Sequence, residues 1–228
     1  GWYPEPFEPL ARAELYSHPQ MLFDLEADPG EQQDVSGAHA DVVERLLDAG
    51  WPTESFVLAE SWRSRWEPQL PSDAVIYLLP DKQIEELVGF DFHRGILACV
   101  HRPKPKKLDD FLPPQGRPAF VVVCVDIHDP VNVGSILRTS AAFGVDAVLL
   151  TDRCADPFSR RVARLSMGAI FHRPIAVTNT IVTDLQSLRD QHGFETWGAV
   201  LDETAIPLAN TKRPPRVAIV LGNEGDGL

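Results

Sequence analysis

From residue 118 onward, continuous apolar runs alternate with segments of helical periodicity. The apolar runs predict strands at Ala119–Val125, Ala147–Leu150, Pro174–Val177, Thr196–Leu201 and Val217–Leu221. The segments between them predict helices at Val133–Phe143, Ser159–Met167 and Asp184–His192. Apolar strands joined by helices are typical of a parallel sheet with helices on both faces. We therefore predict an α/β domain over residues 118–228, with its ligand site beyond the carboxyl ends of the strands.

Upstream of this domain the pattern is shorter and less regular. A small α/β unit is predicted over residues 50–101, from strand-like runs at Ser55–Leu58, Ala74–Leu79 and Gly95–Val100 and a helical segment at Asp81–Val88. Residues 102–117 are rich in proline and lysine and are predicted to be a linker. Residues 1–49 form a separate acidic segment, with a predicted helix at about residues 39–49.

Composition narrows the class of protein. The 228 residues are 44% hydrophobic and 24% charged, which indicates a globular chain and excludes collagen-like, coiled-coil and wholly disordered proteins. No apolar run reaches the ~20 residues of a transmembrane helix, and no secretory signal is visible. The three cysteines, which lack a C-x-x-C spacing, argue against a disulfide scaffold or a zinc ribbon. We therefore expect a reducing, cytoplasmic environment and no membrane partner.

The net charge of −12 is concentrated at one end of the chain. Residues 1–50 contain eleven acids and two bases, which leaves the remaining 178 residues at a net charge of −3. A local basic face that binds nucleic acid is therefore compatible with the composition. The basic cluster of the last region, usually a solvated surface, consists of Arg153, Arg160, Arg161, Arg164, His172 and Arg173.

Two loops that follow predicted strands carry candidate chemistry. The first runs from Asp126 into a helix that Asn132 is predicted to cap. Arg138 lies in this helix among small and apolar residues, either as a solvated arginine or as a contact to a phosphate or a developing alkoxide. The second loop, at residues 222–228, has three glycines in six residues, so its backbone can approach a ligand closely. Neither loop matches the P-loop or the dinucleotide fingerprint.

Acidic and imidazole groups at the start of the first loop are predicted to begin that loop rather than to bind a metal ion. They are Asp126, His128 and Asp129, where Asp-Pro is a common turn signal. We therefore expect no metal site. Cys154 lies in the next loop along the chain and is predicted to be exposed, whereas Cys99 and Cys124 lie in apolar runs and are predicted to be buried.

The two loops together resemble motifs one and two of the SpoU/TrmH-type RNA 2′-O-ribose methyltransferases of the SPOUT superfamily. Motif one is matched by Asn132-Val-Gly134-x-x-x-Arg138 with Phe143-Gly144, and motif two by Leu221-Gly-Asn-Glu224-Gly-x-Gly-Leu228. Segments 151–157 and 166–169 are also similar to that family, and Gly89–Gly95 is similar to a substrate-binding domain that precedes the catalytic domain in many members. The resemblance covers about residues 50–228.

The resemblance implies an enzyme that transfers a methyl group from S-adenosyl-L-methionine to a ribose 2′-hydroxyl of rRNA or tRNA. By the same resemblance Arg138 helps activate the hydroxyl, while Asn132 and Glu224 organise the site. The cofactor would be bound by Leu201, Leu221, Gly222 and Asn223, in a trefoil knot at the interface of a homodimer. RNA would contact Arg153, Arg160, Arg161 and Arg164, and residues 50–101 would form the substrate-binding domain.

Both ends of the sequence depart from the family. The third motif, which supplies much of the cofactor pocket and threads the knot, would follow Leu228, so we expect an incomplete knot and impaired cofactor binding by these 228 residues. Near the other end, residues 22–32 resemble the C-terminal tail of sulfatases, although no sulfatase nucleophile motif is present. Residues 1–49 are thus either foreign, joined by a fusion, or an unrelated acidic extension.

Two alternatives to the enzyme remain open at this point. One is a noncatalytic RNA-binding relative that keeps the fold, and the other is a chimeric fragment with a sulfatase tail. Cofactor binding separates the enzyme from the RNA-binding relative.

Overall fold

The computed structural model describes residues 20–24, 42–88, 95–104, 106–225 and 227–228. The described residues fall into two compact units. The first contains residues 20–24 and the described part of residues 50–104, and the second contains residues 42–49 and 106–228. The predicted domain boundaries at residues 49, 101 and 117 stay a prediction.

The regular elements are short strands and helices. The strands are β1 (Gln20–Asp24), β2 (Thr53–Ala59), β3 (Ile76–Leu79), β4 (Ile96–His101), β5 (Ala119–Cys124), β6 (Ala147–Thr151), β7 (Ile175–Thr178), β8 (Glu195–Ala199) and β9 (Arg216–Leu221). The α-helices are α1 (Val42–Asp48), α2 (Arg63–Trp66), α3 (Asp81–Val88), α4 (Pro130–Ala142), α5 (Arg160–Leu165) and α6 (Ile181–Asp190).

The first unit is built on a four-stranded sheet with the order β1-β4-β2-β3. Strands β1 and β2 both pair antiparallel with β4, while β2 and β3 are parallel. Ala59, Ile84 and Leu97 form a core cluster in this unit. Gly95 has a φ of +69°, and a Cβ at this position would lie 2.1 Å from the Trp62 ring, so the turn before β4 requires glycine.

The second unit is built on a five-stranded, fully parallel sheet with the order β7-β6-β5-β9-β8. All five predicted strands are present, and the predicted parallel α/β architecture is confirmed. Strands β5, β6 and β9 are buried along most of their length, as expected for a parallel sheet between helical layers, whereas the edge strand β8 is largely exposed. On one face, Leu188 and Phe194 pack with residues Ala119, Val121, Val123, Leu149, Ala218 and Val220.

The segment that precedes β5 contributes to this core. Leu108 is buried in it, and Phe111 and Leu112 pack against it. Arg216, at the start of β9, donates hydrogen bonds to the carbonyls of Pro113, Pro114 and Arg117. The second half of the predicted linker is thereby attached to the second unit.

Helix α4 starts three residues earlier than predicted, and its cap is different. The side chain of Asp129 accepts a hydrogen bond from the Val131 amide at 2.8 Å, and Pro130 occupies the first turn. The prediction that Asn132 caps the helix is wrong, because an aspartate followed by proline is a strong helix start in its own right. Asn132 is instead in the first turn of the helix, with its side chain available for another partner.

Helices α4 and α5 pack closely at Gly134. A Cβ on Gly134 would lie 2.5 Å from Leu165 Cβ and 3.3 Å from the Ser166 amide nitrogen. Glycine is required here because the neighbouring helix occupies the space of a side chain. This contact fixes α4, which carries both Asn132 and Arg138.

Two predicted features lie outside the described residues. They are the segment 89–94 of the Gly89–Gly95 motif and, beyond β1, residues 25–41, which include most of the sulfatase-like stretch. Among the helices that the structure describes, none is long and apolar enough to cross a membrane.

Candidate functional site

The second unit brings the two motif-bearing loops together at the centre of its sheet. Strands β5 and β9 are neighbours, with Cys124 beside Leu221, so the loops that follow them leave the same edge side by side. From β5 the chain goes outward through β6 and β7 and then crosses to β8 and β9 on the other side. Such a switch point is where ligands bind in open α/β sheets.

A hydrogen bond between side chains joins the two loops. Asn132 Nδ2 donates to Glu224 Oε1 at 2.7 Å across 92 residues of sequence. Asn132 lies in the first turn of α4, and Glu224 lies in the loop after β9. The structure therefore brings these two predicted catalytic residues together.

Several donors surround the Glu224 carboxylate. Its pKa is lowered from the usual value by the hydrogen bond from Asn132, and further by the backbone amides of Glu224, His128 and Asp129. These groups stabilise the charged form of the carboxylate. Glu224 is exposed and ionised at neutral pH, so it can accept hydrogen bonds or stabilise a cation but is a poor proton donor.

Asn223 fixes the shape of the second loop. Its Nδ2 donates to the carbonyl of Asp126 at 2.7 Å and lies 3.2 Å from His128 Nδ1, which accepts when His128 is neutral and protonated on Nε2. Its Oδ1 accepts from the Gly225 amide at 2.7 Å. Asn223 therefore ties the β9 loop to the β5 loop and curls the backbone around Glu224.

A third strand end, after β6, contributes side chains that the sequence patterns did not single out. Thr151 Oγ1 accepts from the Asp126 amide at 2.8 Å and donates to Asp126 Oδ1 at 2.7 Å. Asp126 has a φ of +54°, which non-glycine residues seldom adopt. The signal that could have identified Thr151 is a polar residue at the end of a predicted strand, since the ends of neighbouring parallel strands meet at one edge of the sheet.

The predictions for Cys154 and Cys99 are both wrong, because Cys154 is not exposed and Cys99 is only partly buried. Cys154 is buried, with its thiol 3.4 Å from the Cys124 carbonyl oxygen and its sulfur accepting from the Ile127 amide at 3.3 Å. These contacts hold the loop after β6 against the end of β5. Burial also raises the pKa of the Cys124 thiol, so that residue stays protonated at neutral pH.

The predicted cofactor residues lie at the carboxyl ends of β8 and β9. Leu221, Gly222 and Asn223 are partly exposed there. A Cβ on Gly222 would lie 2.3 Å from the Gly227 carbonyl oxygen, so the glycine is required by the loop folding back on itself. Leu201 is fully exposed, and the predicted strand end is wrong, because β8 stops at Ala199, the partner of Leu221.

Arg138 stands apart from the Asn132–Glu224 pair. It is exposed on α4 and has no hydrogen bond or ion pair with any residue that the structure describes. Six residues of α-helix separate Arg138 from Asn132, about 9 Å along the helix axis and about 120° around it. The guanidinium is therefore free to bind an external anion, but on a different side of the helix.

The four predicted RNA-binding arginines have different surroundings. Arg153 forms an ion pair with the Asp126 carboxylate, although its side chain is largely exposed. Arg160 and Arg161 are exposed on α5, and Arg164 is half-buried one turn later. The pKa of Arg160 is lowered by partial burial and by the charge of Arg164, which lies one turn further along the same helix. Like charges held close together favour an anionic partner.

No cluster of three or more potential metal ligands occurs among the residues that the structure describes. Asp126 and Asp129 are instead engaged within the protein, Asp126 with Thr151 and Arg153, and Asp129 with the α4 backbone.

Comparison with known protein families gives a match for the domain that carries this site. The model of the SpoU rRNA methylase family matches residues 119–228, from the start of β5 to the end of the second loop. Over this domain the chain is therefore similar to the SpoU rRNA methylase family. The matched region, residues 119–228, is called the SpoU domain below and contains both motif loops, the Asn132–Glu224 pair and the arginines of α4 and α5.

Relatives extend the similarity beyond the SpoU domain. A protein of Staphylococcus aureus assigned to the TrmH family of tRNA/rRNA methyltransferases is 27% identical over 202 residues, covering 85% of this chain and 79% of that protein. An AdoMet-bound rRNA methyltransferase from Sinorhizobium meliloti has a similar structure, with a TM-score of 0.69 and 24% identity over 82% of this chain and 69% of that one. An RNA 2′-O ribose methyltransferase has the same TM-score and identity, over 96% and 77%. These structural likenesses show that the fold is shared.

Proposed function

We propose that this protein transfers a methyl group from S-adenosyl-L-methionine to a ribose 2′-hydroxyl of rRNA or tRNA. The observation that carries the proposal is the Asn132–Glu224 hydrogen bond at the switch point of a SpoU domain. It joins motif one to motif two at the sheet edge where α/β folds bind their ligands. Both residues were expected at the reaction site from the sequence alone.

The residues at the ends of β8 and β9 suit the cofactor in their chemistry. Leu221, Gly222 and Asn223 offer partly exposed apolar surface, main chain and a side-chain amide, and Leu201 follows the strand end beside them. S-adenosylmethionine supplies an electrophilic methyl group on a cationic sulfonium. The ionised carboxylate of Glu224 places negative charge near this edge, which favours a bound cation.

Arg138 is proposed to act on the ribose hydroxyl or the phosphate beside it. A ribose hydroxyl is a weak nucleophile at neutral pH, so catalysis requires stabilisation of negative charge on its oxygen as the proton leaves. A guanidinium does not lose its proton in proteins and therefore stabilises the developing charge electrostatically rather than as a base. Its exposure and lack of a partner among the described residues leave it available for this role.

The RNA backbone is proposed to contact the basic surface of α5. Arg160 and Arg161 are exposed, and Arg164 lies one turn further on. Guanidinium groups bind phosphates with paired hydrogen bonds, and such contacts weaken as salt concentration rises. Arg153 can join this surface only after its guanidinium leaves the Asp126 carboxylate.

The working state is proposed to be a homodimer in the cytoplasm, without a metal ion. The family resemblance supports the dimer, and three free cysteines without a disulfide support a reducing compartment. Light scattering coupled to size-exclusion chromatography measures the mass directly. A mass near 25.3 kDa, that of one chain, would contradict the dimer.

Calorimetric titration of S-adenosylmethionine into the protein tests the cofactor assignment. We expect weak but saturable one-site binding, in line with the impaired binding expected from the sequence. Gly222→Val should bind at least tenfold more weakly still, because a branched side chain at this position collides with the Gly227 main chain and reshapes the loop. Val200→Thr, a change at an exposed residue, is the matched control and should bind normally. Binding of RNA without any binding of the cofactor would favour a noncatalytic RNA-binding relative instead.

A further inference from the structure

Three strand ends, those of β5, β6 and β9, are connected by a series of hydrogen bonds with one covalent step, between Glu224 and Gly225. Thr151 contacts Asp126 twice, Asp126 accepts from Asn223, and Asn223 contacts the amide that follows Glu224. Glu224 in turn accepts from Asn132. The series thus begins at a residue that contacts neither Glu224 nor Asn132 and ends at the proposed reaction site.

Asp126 is the unusual member of this series. Its φ of +54° lies in the left-handed region, which side chains other than glycine seldom adopt, so contacts with its surroundings favour this conformation. Thr151 does so from both sides, since its hydroxyl accepts from the Asp126 amide and donates to the Asp126 carboxylate. The Asp126 carbonyl is thereby held where Asn223 Nδ2 reaches it at 2.7 Å.

Burial separates Thr151 from the exposed groups around it. Thr151 is 6% exposed, whereas the Arg153 side chain that pairs with the same carboxylate is 75% exposed. A surface ion pair contributes little to geometry or stability. The hydroxyl of Thr151, rather than the charge of Arg153, is therefore the group that holds Asp126.

We propose that Thr151 and Asp126 act as positioning residues for the methyl transfer. The Thr151 hydroxyl holds Asp126 through its amide and carboxylate, so that the Asp126 carbonyl places Asn223. Asn223 in turn orients Glu224 toward Asn132. This inference rests on the proposed function for its kinetic consequence. Neither residue contacts the substrate in this account. Their effect is on the rate of the reacting complex rather than on the affinity for RNA.

Three variants separate the hydroxyl from the other properties of the site. Thr151→Val keeps the shape and removes the hydroxyl, and Thr151→Ser restores it. Asp126→Asn keeps a side-chain acceptor and tolerates positive φ, but removes the ion pair with Arg153. We expect Thr151→Val to lower kcat by about 10- to 100-fold, the loss that small misplacements cause, with KM for RNA within about threefold. Thr151→Ser should stay within about threefold of the parent in kcat, and Asp126→Asn should lower kcat less than Thr151→Val does.

A second measurement needs no turnover. In the protein without ligands, the side-chain amide signals of Asn223 and Asn132 are recorded by NMR for the parent, Thr151→Val and Thr151→Ser. We expect both signals to shift in Thr151→Val and to return in Thr151→Ser, although Asn132 does not contact Thr151.

The outcomes are distinguishable. A parent protein that transfers no methyl group contradicts the proposed function, while the NMR comparison still tests the positioning series. An active parent whose Thr151→Val variant keeps its kcat, or unchanged Asn132 and Asn223 signals in that variant, overturns the inference. A fall in kcat that Thr151→Ser does not rescue also overturns it, because the hydroxyl would not be the cause.

Discussion

Arg216 and Arg213 offer a matched pair for testing how the second unit is held together. Both guanidinium groups lie over a phenylalanine ring, Arg216 at 4.5 Å from the centroid of Phe194 and Arg213 at 5.0 Å from that of Phe120. Arg216 is 7% exposed, whereas Arg213 is exposed. Replacing each by methionine keeps an unbranched apolar chain and removes the charge.

The hydrogen bonds set the expected difference. Arg216 donates from Nη1 to two carbonyls, at 3.0 and 2.7 Å, and from Nη2 to a third at 3.1 Å. Hydrogen bonds that involve a charged group contribute about 1.5–3 kcal/mol each to stability. Its Nε is buried without a partner among the described residues, and burial of the guanidinium offsets much of the gain. We therefore expect Arg216→Met to lower the free energy of unfolding by about 2–3 kcal/mol.

Arg213→Met is expected to cost much less. An exposed cation over an aromatic ring contributes about 0.5–1 kcal/mol. Urea denaturation followed by circular dichroism measures both losses under the same conditions. Equal losses in the two variants, or a loss below about 0.5 kcal/mol for Arg216→Met, would refute the assignment of Arg216 as the group that holds the segment before β5 to the sheet.

Three further predictions concern the site and its supports. Gly134→Ala should lower the free energy of unfolding, measured in urea, by about 1 kcal/mol. A clash with Leu165 that costs about 1–3 kcal/mol outweighs the higher helix propensity of alanine. A more stable variant would contradict the close packing of α4. Arg138→Ala should leave the melting temperature unchanged and reduce methyl transfer about 100-fold, with Arg138→Lys in between; full activity would remove Arg138 from the mechanism. Iodoacetamide should modify Cys99 alone among the three cysteines of the native protein. The reaction should become faster as pH rises, because the raised pKa of the Cys99 thiol keeps the thiolate fraction small at neutral pH. Modification of Cys124 or Cys154 before unfolding would contradict their burial.

The parallel sheet was predictable because its strands are continuously apolar and are separated by helical segments. The end of β8 was not, since Val200 and Leu201 extend the apolar run but are exposed. Hydropathy does not distinguish a buried strand residue from an exposed apolar residue that follows it. The structure ends β8 at Ala199, where its pairing with β9 ends.

The pairing of Asn132 with Glu224 in the candidate site was predictable, but the hydrogen bonds that support this pair were not. Asn132 and Glu224 were identified by their motifs, and the strand order explains why they meet. The contribution of Thr151 depends on a side chain at the end of β6 reaching back to Asp126, which no local pattern encodes. Asn132 was predicted to cap the helix, but Asp129, three residues earlier, is an equally suitable residue type. In the structure Asp129 is the cap.

Methyl transfer to RNA followed by alkaline hydrolysis tests directly whether the protein methylates a ribose 2′-hydroxyl. The protein is incubated with methyl-labelled S-adenosylmethionine and unmodified rRNA or tRNA transcripts, and the RNA is then hydrolysed in alkali. Hydrolysis of each RNA linkage requires a free 2′-hydroxyl, so a 2′-O-methyl group protects its linkage and the label stays in dinucleotides. Label is expected in alkali-resistant dinucleotides, and Arg138→Ala should reduce it about 100-fold. Label in mononucleotides, or none with any transcript, would contradict 2′-O-methylation by this protein.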